Sequence, residues 1–279
     1  MSSPRADELV EFYLPVLVAA GDYARQIQPR IAAPPKKSGA NEWTQALTDA
    51  DIMVQSFIEV ATLAQHPGVG FYGEESEHST NAKYFDRDAD TVVYLDPING
   101  TFLYQNQQTS WDIILSIVER GRISAAISYM PVSGRFYLAT DGAGALTGDR
   151  ECRRLEDFSP LTTVTGSNVC LTYQARDIME DLSGEFDCFD IVEHYDPERA
   201  LDNLNDLFLG RLDAFACRDC EPLDWGAIAF IVAKAGGRAS HPDGTALNVF
   251  EDFDPVRSTD MVVASSPNVH ERILRLLRS

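Results

Sequence analysis

The period of the hydrophobic pattern changes partway along the chain, and this change limits the fold more than any other feature. In the first part, apolar side chains recur at helical spacing in two segments, 7–27 and 51–64, which we predict to be amphipathic helices. Short apolar runs then follow one another, separated by turns that contain glycine, as expected of strands. The predicted strands are Val92–Leu95, Ile113–Val118, Ile123–Tyr129 and Phe136–Ala139. The core must therefore be built from both helices and sheets.

The second half of the chain also mixes helices and strands. The predicted elements are a segment Val164–Cys170 that begins this half, a helical turn at Leu204–Leu209, a strand at Ala214–Cys217, a buried helix at Trp225–Ala235, a strand at Met261–Ala264 and a closing helix to Leu277 that has Ser266 as its N-cap. Because helices and strands do not follow strict βαβ order, we predict an α/β (α+β layered) fold with mixed sheets. We expect the 279 residues to form a single domain, 1–279, in two halves of about 1–150 and 151–279.

The charge balance is strongly acidic, since 43 aspartates and glutamates against 23 lysines and arginines give a net charge of −20. Nucleic acid polymers and anionic membranes both require positive patches, so we expect neither as a partner. A small anionic substrate would be repelled unless bound cations reversed the local field, although an acidic surface also serves solubility. No apolar run approaches the ~18 residues that span a bilayer, and the first one follows acidic residues, which predicts a cytoplasmic protein.

The five cysteines have irregular spacing, and we expect no disulfide framework. Cys217 and Cys220 have the spacing of a zinc knuckle or a redox pair. Because the sequence has no second pair and no nearby histidine, we interpret them as two reduced thiols.

The segment Asp96–Thr101, with the sequence Asp-Pro-Ile-Asn-Gly-Thr, is the most specific motif in the chain. The first predicted strand runs into a carboxylate, after which Pro97 fixes φ and Gly100 permits close backbone approach. If a helix or tight turn follows, the amides of Gly100 and Thr101 point outward together and form a seat for an anion. The alternative is an ordinary Asn-Gly turn between two strands.

Three further acidic positions accompany this motif. Asp51 opens the second predicted helix, Glu74 lies in a Gly-Glu-Glu-Ser loop, and Asp224 opens the apolar helix of the second half. Taken singly, they are explained by helix capping or by an exposed loop. Taken together, Glu74, Asp96 and Asp224 offer the oxygen ligands that Mg²⁺ prefers, if the fold brings them together.

In these motifs and their order, the chain resembles the inositol monophosphatase family of lithium-sensitive, Mg²⁺-dependent phosphatases. The matching segments are Thr48–Asp51, Phe71–Ser76, Asp96–Thr101, and Asp224 with the Gly236-Gly237 pair that follows it. The resemblance implies a five-layer αβαβα sandwich and a homodimer. It also implies hydrolysis of a small phosphorylated metabolite with Mg²⁺, or alternatively Mn²⁺, as the cofactor.

The resemblance further implies roles for individual residues. The implied metal ligands are Glu74, Asp96, Ile98 through its carbonyl, Asn99 and Asp224. Thr101 and Glu74 would orient the attacking water, with Asp51 beside them to tune the Thr101 hydroxyl. Gly100 and Thr101 would bind the substrate phosphate.

Position 99 departs from the family, which has aspartate where this chain has Asn99. An amide keeps one oxygen ligand but removes a negative charge, so a second metal ion should bind more weakly. We favour an active phosphomonoesterase that acts on a small phosphorylated polyol, sugar or nucleotide by two-metal activation of water. The alternative is a catalytically impaired binding or regulatory protein. Cys217 stands where inositol-specific members carry a glutamate, so inositol specificity is not inferred.

Overall fold

Two mixed β-sheets and the helices around them make up the structure, a computed structural model that describes residues 4–31, 49–164, 166, 168–171, 173–190 and 203–278. In the first sheet the strands lie in chain order, β1 and β2 are parallel, and all other neighbours are antiparallel. Its strands are β1 Gly70–Gly73, β2 Thr91–Asn99, β3 Asp112–Glu119, β4 Arg122–Met130, β5 Arg135–Thr140, β6 Gly144–Asp149 and β7 Ser159–Pro160.

The second sheet is formed by the other half of the chain. Its strands are β8 Asn168–Leu171, β9 Asp187–Asp190, β10 Ala214–Cys220, β11 Arg238–Ser240 and β12 Thr259–Ala264. They lie in the order β11-β12-β10-β8-β9, with antiparallel pairing from β11 to β10 and parallel pairing from β10 to β9. The second sheet is therefore also mixed.

The α-helices are α1 Ala6–Ile27, α2 Asp49–Gln65, α3 Thr101–Gln105, α4 Met179–Leu182, α5 Pro222–Lys234 and α6 Pro267–Leu276. Short 3₁₀ turns lie at Gln28–Arg30, Ala82–Tyr84, Leu155–Asp157, Tyr173–Ile178, Leu204–Phe208 and Asn248–Phe250. Along the described part of the chain, no helix combines the length and the hydropathy needed to cross a lipid bilayer.

Three apolar cores hold five layers together, and the second core surrounds α5 and so fills two of the four interfaces. Helices α1 and α2 cover one face of the first sheet, α5 lies between the two sheets, and α4 and α6 cover the outer face of the second sheet. Strand β4 illustrates how the first sheet contributes to two cores. Its Ala125 and Ile127 enter the first core, while Ala126 and Met130 enter the second. A strand that is covered on both faces reads as a nearly continuous apolar run. The predicted α/β fold, a five-layer αβαβα sandwich with mixed sheets, is confirmed.

Most predicted elements are present, with shifted ends. Within the segment Val164–Cys170 a strand begins at Asn168, and the helical turn at Leu204–Leu209 is a 3₁₀ turn that ends at Phe208. Ser266 caps α6 as expected, since its side chain accepts a hydrogen bond from the Val269 amide. Thr48, the first residue of one family-like segment, lies outside the described residues.

The interpretation of Cys217 and Cys220 as two reduced thiols is wrong, because the structure joins them in a disulfide. In a regular strand, residues three apart lie about 10 Å from each other and face opposite sides. Here β10 contains a bulge against β12, and Asp219 within it has a φ of 55°. The bulge shortens the Cα–Cα distance of the two cysteines to 6.1 Å, which a disulfide can span.

Candidate active site

Two of the predicted metal ligands are brought together by the pairing of β1 with β2. These parallel neighbours run side by side to the same edge of the sheet, where Gly73 lies opposite Leu95. The next residue along each strand is Glu74 or Asp96, and the Glu74 amide donates to the Leu95 carbonyl at 2.9 Å. Carboxyl ends of parallel strands meet at one edge, so the two carboxylates become neighbours.

The third carboxylate comes from the other half of the chain. Helix α5 begins at Pro222, a favoured first residue, and carries Asp224 in its first turn. One carboxylate oxygen from each of Glu74, Asp96 and Asp224 lies within 4.8 Å of the other two. Glu74 is exposed, Asp96 is buried and Asp224 is half-buried. The three residues therefore form a cluster that is open to solvent on the Glu74 side.

The cluster concentrates negative charge. Although Glu74 is exposed as a residue, desolvation of its carboxyl end and the nearby charges of Glu75, Asp51 and Glu221 raise its pKa to about 7. Burial and the charge of Glu74 raise the pKa values of Asp96 and Asp224 well above the ordinary range of aspartate. Carboxylates this close resist ionisation unless a cation lies among them. All three donors are oxygens, so the residues fit a hard divalent cation such as Mg²⁺.

The Asp96–Thr101 segment turns sharply and then enters a helix. The Asp96 carboxylate accepts a hydrogen bond from the Ile98 amide at 3.1 Å, which ties the start of the turn to its centre. Gly100 precedes α3 with a φ of 88°, a left-handed conformation that favours glycine. The turn is thus followed by a helix rather than by the second strand of an Asn-Gly hairpin.

Asp51 and Thr101 meet beside this turn. The Thr101 hydroxyl lies 3.1 Å from a carboxylate oxygen of Asp51 and 2.9 Å from the Ile98 carbonyl, and it donates to these acceptors. Asp51 lies in the first turn of α2 and is fully buried. Its position near a helix start is what a capping role predicts, but its contact with Thr101 also places it at the site.

Asn99 contacts an aspartate that lies outside the motifs named as candidate metal ligands. Its side-chain amide nitrogen donates to Asp112 at 2.8 Å, because β2 and β3 place the two residues directly opposite each other. Asp112 is fully buried. Its only sequence signal is a charged residue at the start of an apolar strand, which by itself marks no particular site.

The loop that carries Glu74 is held by a buried polar cluster on α2, which sequence reasoning also missed. Gln55 accepts a hydrogen bond from the Glu75 amide at 3.0 Å and donates to Glu59 at 3.0 Å. Glu59 in turn accepts from the Ser79 hydroxyl and from the Asn81 amide group. This cluster fixes both ends of the loop against α2.

Comparison with known proteins places these features in context. The model of the inositol monophosphatase family matches residues 9–279. The inositol-1-monophosphatase of Bacillus subtilis is 22% identical over 245 residues, which cover 85% of this chain and 84% of that protein.

Solved structures share the fold. A Thermotoga maritima IMPase has a TM-score of 0.72 at 18% identity and covers 97% of this chain and 96% of its own. The extragenic suppressor protein suhB of Bartonella henselae has a TM-score of 0.73 at 17% identity, with 97% and 98% covered.

Proposed function

The chain belongs to the inositol monophosphatase family of metal-dependent phosphatases, and from this premise we propose that it hydrolyses small phosphate monoesters of polyols, sugars or nucleotides. The observation that carries the proposal is the meeting of Glu74, Asp96 and Asp224, with an oxygen from each within 4.8 Å of the others. These residues are far apart in sequence and come from both halves of the chain. A purely structural role does not explain why three acids of raised pKa are kept together.

We propose that these residues hold two Mg²⁺ ions, with Mn²⁺ as an alternative. The ligands of the first ion would be Glu74, Asp96 and the Ile98 carbonyl, and those of the second would be Asp96, Asn99 and Asp224. The Ile98 carbonyl already accepts from Thr101, but a carbonyl oxygen has a second lone pair for a cation. When bound, the ions supply Lewis-acid activation of water and neutralise charge on the phosphoryl group.

The chain's own groups would position the reactants. The Thr101 hydroxyl is held between Asp51 and the Ile98 carbonyl, and together with Glu74 it would orient the attacking water. At the start of α3, the amides of Gly100 and Thr101 would bind the phosphate, since first-turn amides have no acceptor within the helix.

The substrate class stays broad because Cys217 replaces an expected glutamate. A cysteine has no carboxylate to offer an inositol ring. Cys217 is in addition only 1% exposed and is disulfide-bonded. The cytoplasmic location and the homodimer stay predictions. The disulfide argues against the predicted cytoplasmic location, because disulfides are rare in the cytosol.

The proposal is tested by measuring phosphate release from a panel of phosphomonoesters across titrations of Mg²⁺ and Mn²⁺. The Asp96→Asn variant should lose at least about a hundredfold in kcat/KM, since it removes the negative charge and one of the two oxygens of a ligand shared by both ions. Asp90→Asn, an exposed aspartate just before the same strand, is the matched control and should keep the parent activity. A parent that binds metal ions but releases no phosphate from any ester would instead support the impaired binding protein.

A further inference from the structure

The orientation of the Asn99 side chain is fixed by Asp112. A carboxylate only accepts hydrogen bonds, so the amide nitrogen of Asn99 must face Asp112 and its amide oxygen must point away. From the described residues this oxygen receives no hydrogen bond. Of the two polar atoms of the Asn99 side chain, the oxygen is therefore the one left to face a cation, and Asp112 determines its direction.

Asp112 is held as a fully hydrogen-bonded carboxylate. Its Oδ1 accepts from Asn99 and from Asn203 at 2.9 Å. Its Oδ2 accepts from Ser128 and from Asn205 at 3.2 Å. These four donors occupy the four acceptor positions of a carboxylate. Burial raises the pKa of the Asp112 carboxyl group, and the four hydrogen bonds oppose this by favouring its charged form directly behind Asn99.

The donors around Asp112 come from separate parts of the fold. Asn99 and Asp112 are partners on β2 and β3, and Ser128 lies on β4. Asn203 caps the 3₁₀ turn at Leu204–Phe208 and accepts from the Asn205 amide at 2.9 Å. Since side chains from β2, from β4 and from the capped turn all hold the Asp112 carboxylate, it cannot turn away from Asn99.

We propose that Asp112 is a positioning residue for the second metal position. It orients the Asn99 oxygen, and from behind Asn99 it supplies the negative charge that an aspartate at position 99 would carry. This inference rests on the proposed function only in taking Asn99 as a ligand. It implies that the amide at 99 and the carboxylate at 112 work as a pair. An aspartate at both positions would bring a half-buried carboxylate into contact with the fully buried Asp112, where their charges repel.

The first test is a double-mutant cycle on the metal-free protein. The quantity measured is the midpoint of thermal unfolding in a buffer that contains a metal chelator. Asn99→Asp should lower the midpoint by several degrees, because its new carboxylate faces Asp112. Asp112→Asn should also lower it, because it replaces an acceptor by a donor among four donors. The exchanged pair, Asn99→Asp with Asp112→Asn, should recover most of the loss.

The second test is Mn²⁺ binding, followed by electron paramagnetic resonance and calorimetry. Asp112→Asn should weaken the weaker of two ions by about 10- to 100-fold and leave the tighter ion unchanged. The exchanged pair should bind both ions at least as tightly as the parent. The control is Asp213→Asn. Asp213 is a buried aspartate that lies just before β10 and accepts a hydrogen bond from the Gly166 amide. It should lose stability but keep both affinities.

Three results would overturn the proposal: a parent that binds a single Mn²⁺ ion, an Asn99→Asp variant that is as stable as the parent and binds metal more tightly, or an Asp112→Asn variant with unchanged affinities. The proposed function fails separately. If the stability and Mn²⁺ results hold while the parent releases no phosphate, the pairing of the two residues stands and the phosphatase does not.

Discussion

The hydroxyl of Thr101 shows how much of the site depends on single atoms. It has one hydrogen to donate and lies within reach of two acceptors, the Asp51 carboxylate and the Ile98 carbonyl. Those contacts hold the oxygen in place, and its lone pairs stay available to a water molecule. At this scale the site consists of oxygens whose positions are set by one or two neighbouring groups.

We predict that Thr101→Val lowers kcat by about 10²- to 10³-fold, because valine keeps the shape of threonine but removes the hydroxyl. Thr101→Ser keeps the hydroxyl and should retain most of the activity. Steady-state kinetics measure both variants, and thermal unfolding serves as the control for folding. Full activity in the valine variant would remove Thr101 from the proposed mechanism.

A second residue-scale prediction concerns His270, which is 2% exposed and contacts the Ser240 hydroxyl at 2.8 Å. Burial, reinforced by the charge of Arg238, lowers its pKa to about 4, whereas in the unfolded chain it titrates near 6.5. The unfolded state thus binds more protons between these values. The resulting stability is complete above pH 6.5 and is lost as the pH falls toward 4.

His270→Gln should therefore flatten the decrease in unfolding free energy between pH 6.5 and 4, by about 2 kcal/mol. Urea unfolding across this pH range measures the difference between the variant and the parent. Parallel curves for the two proteins would contradict the assignment.

At the scale of elements, the loop after β1 is positioned by α2 rather than by its own sequence. A Cβ at position 73 would overlap the Gln55 side-chain amide, so any larger residue there would push Gln55 out of its hydrogen bonds. Gln55 and Glu59 then hold the loop at Glu75, Ser79 and Asn81. Glu74 owes its place in the cluster to this support.

We predict that Glu59→Gln destabilises the protein by about 1–3 kcal/mol and weakens metal binding by about tenfold or more. The new amide group places a donor against the donors of Ser79 and Asn81. Glu77→Gln, an exposed glutamate in the same loop, is the matched control and should change neither quantity. Equal metal affinity in both variants would show that the loop does not need this support.

The disulfide is the second feature at this scale, because it lies at the end of β10 just before α5. We predict that a thiol reagent labels three of the five cysteines in protein denatured without reductant, and all five after reduction. Mass spectrometry counts the labels. Five labels without reductant would show that the thiols are free.

At the scale of the whole molecule, the site joins the two halves of the chain. Asp96 ends a strand of the first sheet, while Asp224 belongs to the helix between the sheets. The core around α5 also takes side chains from both sheets, such as Ile114 and Phe215. We propose on these grounds that residues 1–279 form a single domain that unfolds as one unit.

Scanning calorimetry should then show one transition that moves to higher temperature when Mg²⁺ is added. At a Mg²⁺ concentration a hundred times its Kd, one bound ion should add about 2.7 kcal/mol to the free energy of unfolding. The shift should be larger at pH 8 than at pH 6. Because the pKa of Glu74 is about 7, its carboxyl group must lose a proton to bind a cation at the lower pH. Asp224→Asn, which removes a ligand charge from the second ion alone, should reduce the shift, whereas Asp252→Asn, an exposed aspartate of the same half, should leave it unchanged. Two separate transitions would argue for two domains.

Local patterns predicted what depends on nearby residues. The strands around Ile113 and Ile123 follow from their apolar runs, and the start of α6 follows from Ser266 and Pro267. The family resemblance named Glu74 and Asp96 because their motifs are continuous in sequence. In each case the signal spans a few residues, so no long-range contact was needed to recognise it.

What the sequence determined by itself was the set of elements and the chemical groups at their ends, since hydrophobic period and turn residues act over short distances. Only the tertiary structure decided which groups meet. The β2–β3 register places Asp112 against Asn99, and the bulge at Asp219 brings Cys217 to Cys220. Strand pairing and bulges depend on how separate segments pack, so the spacing of residues along one chain does not contain them.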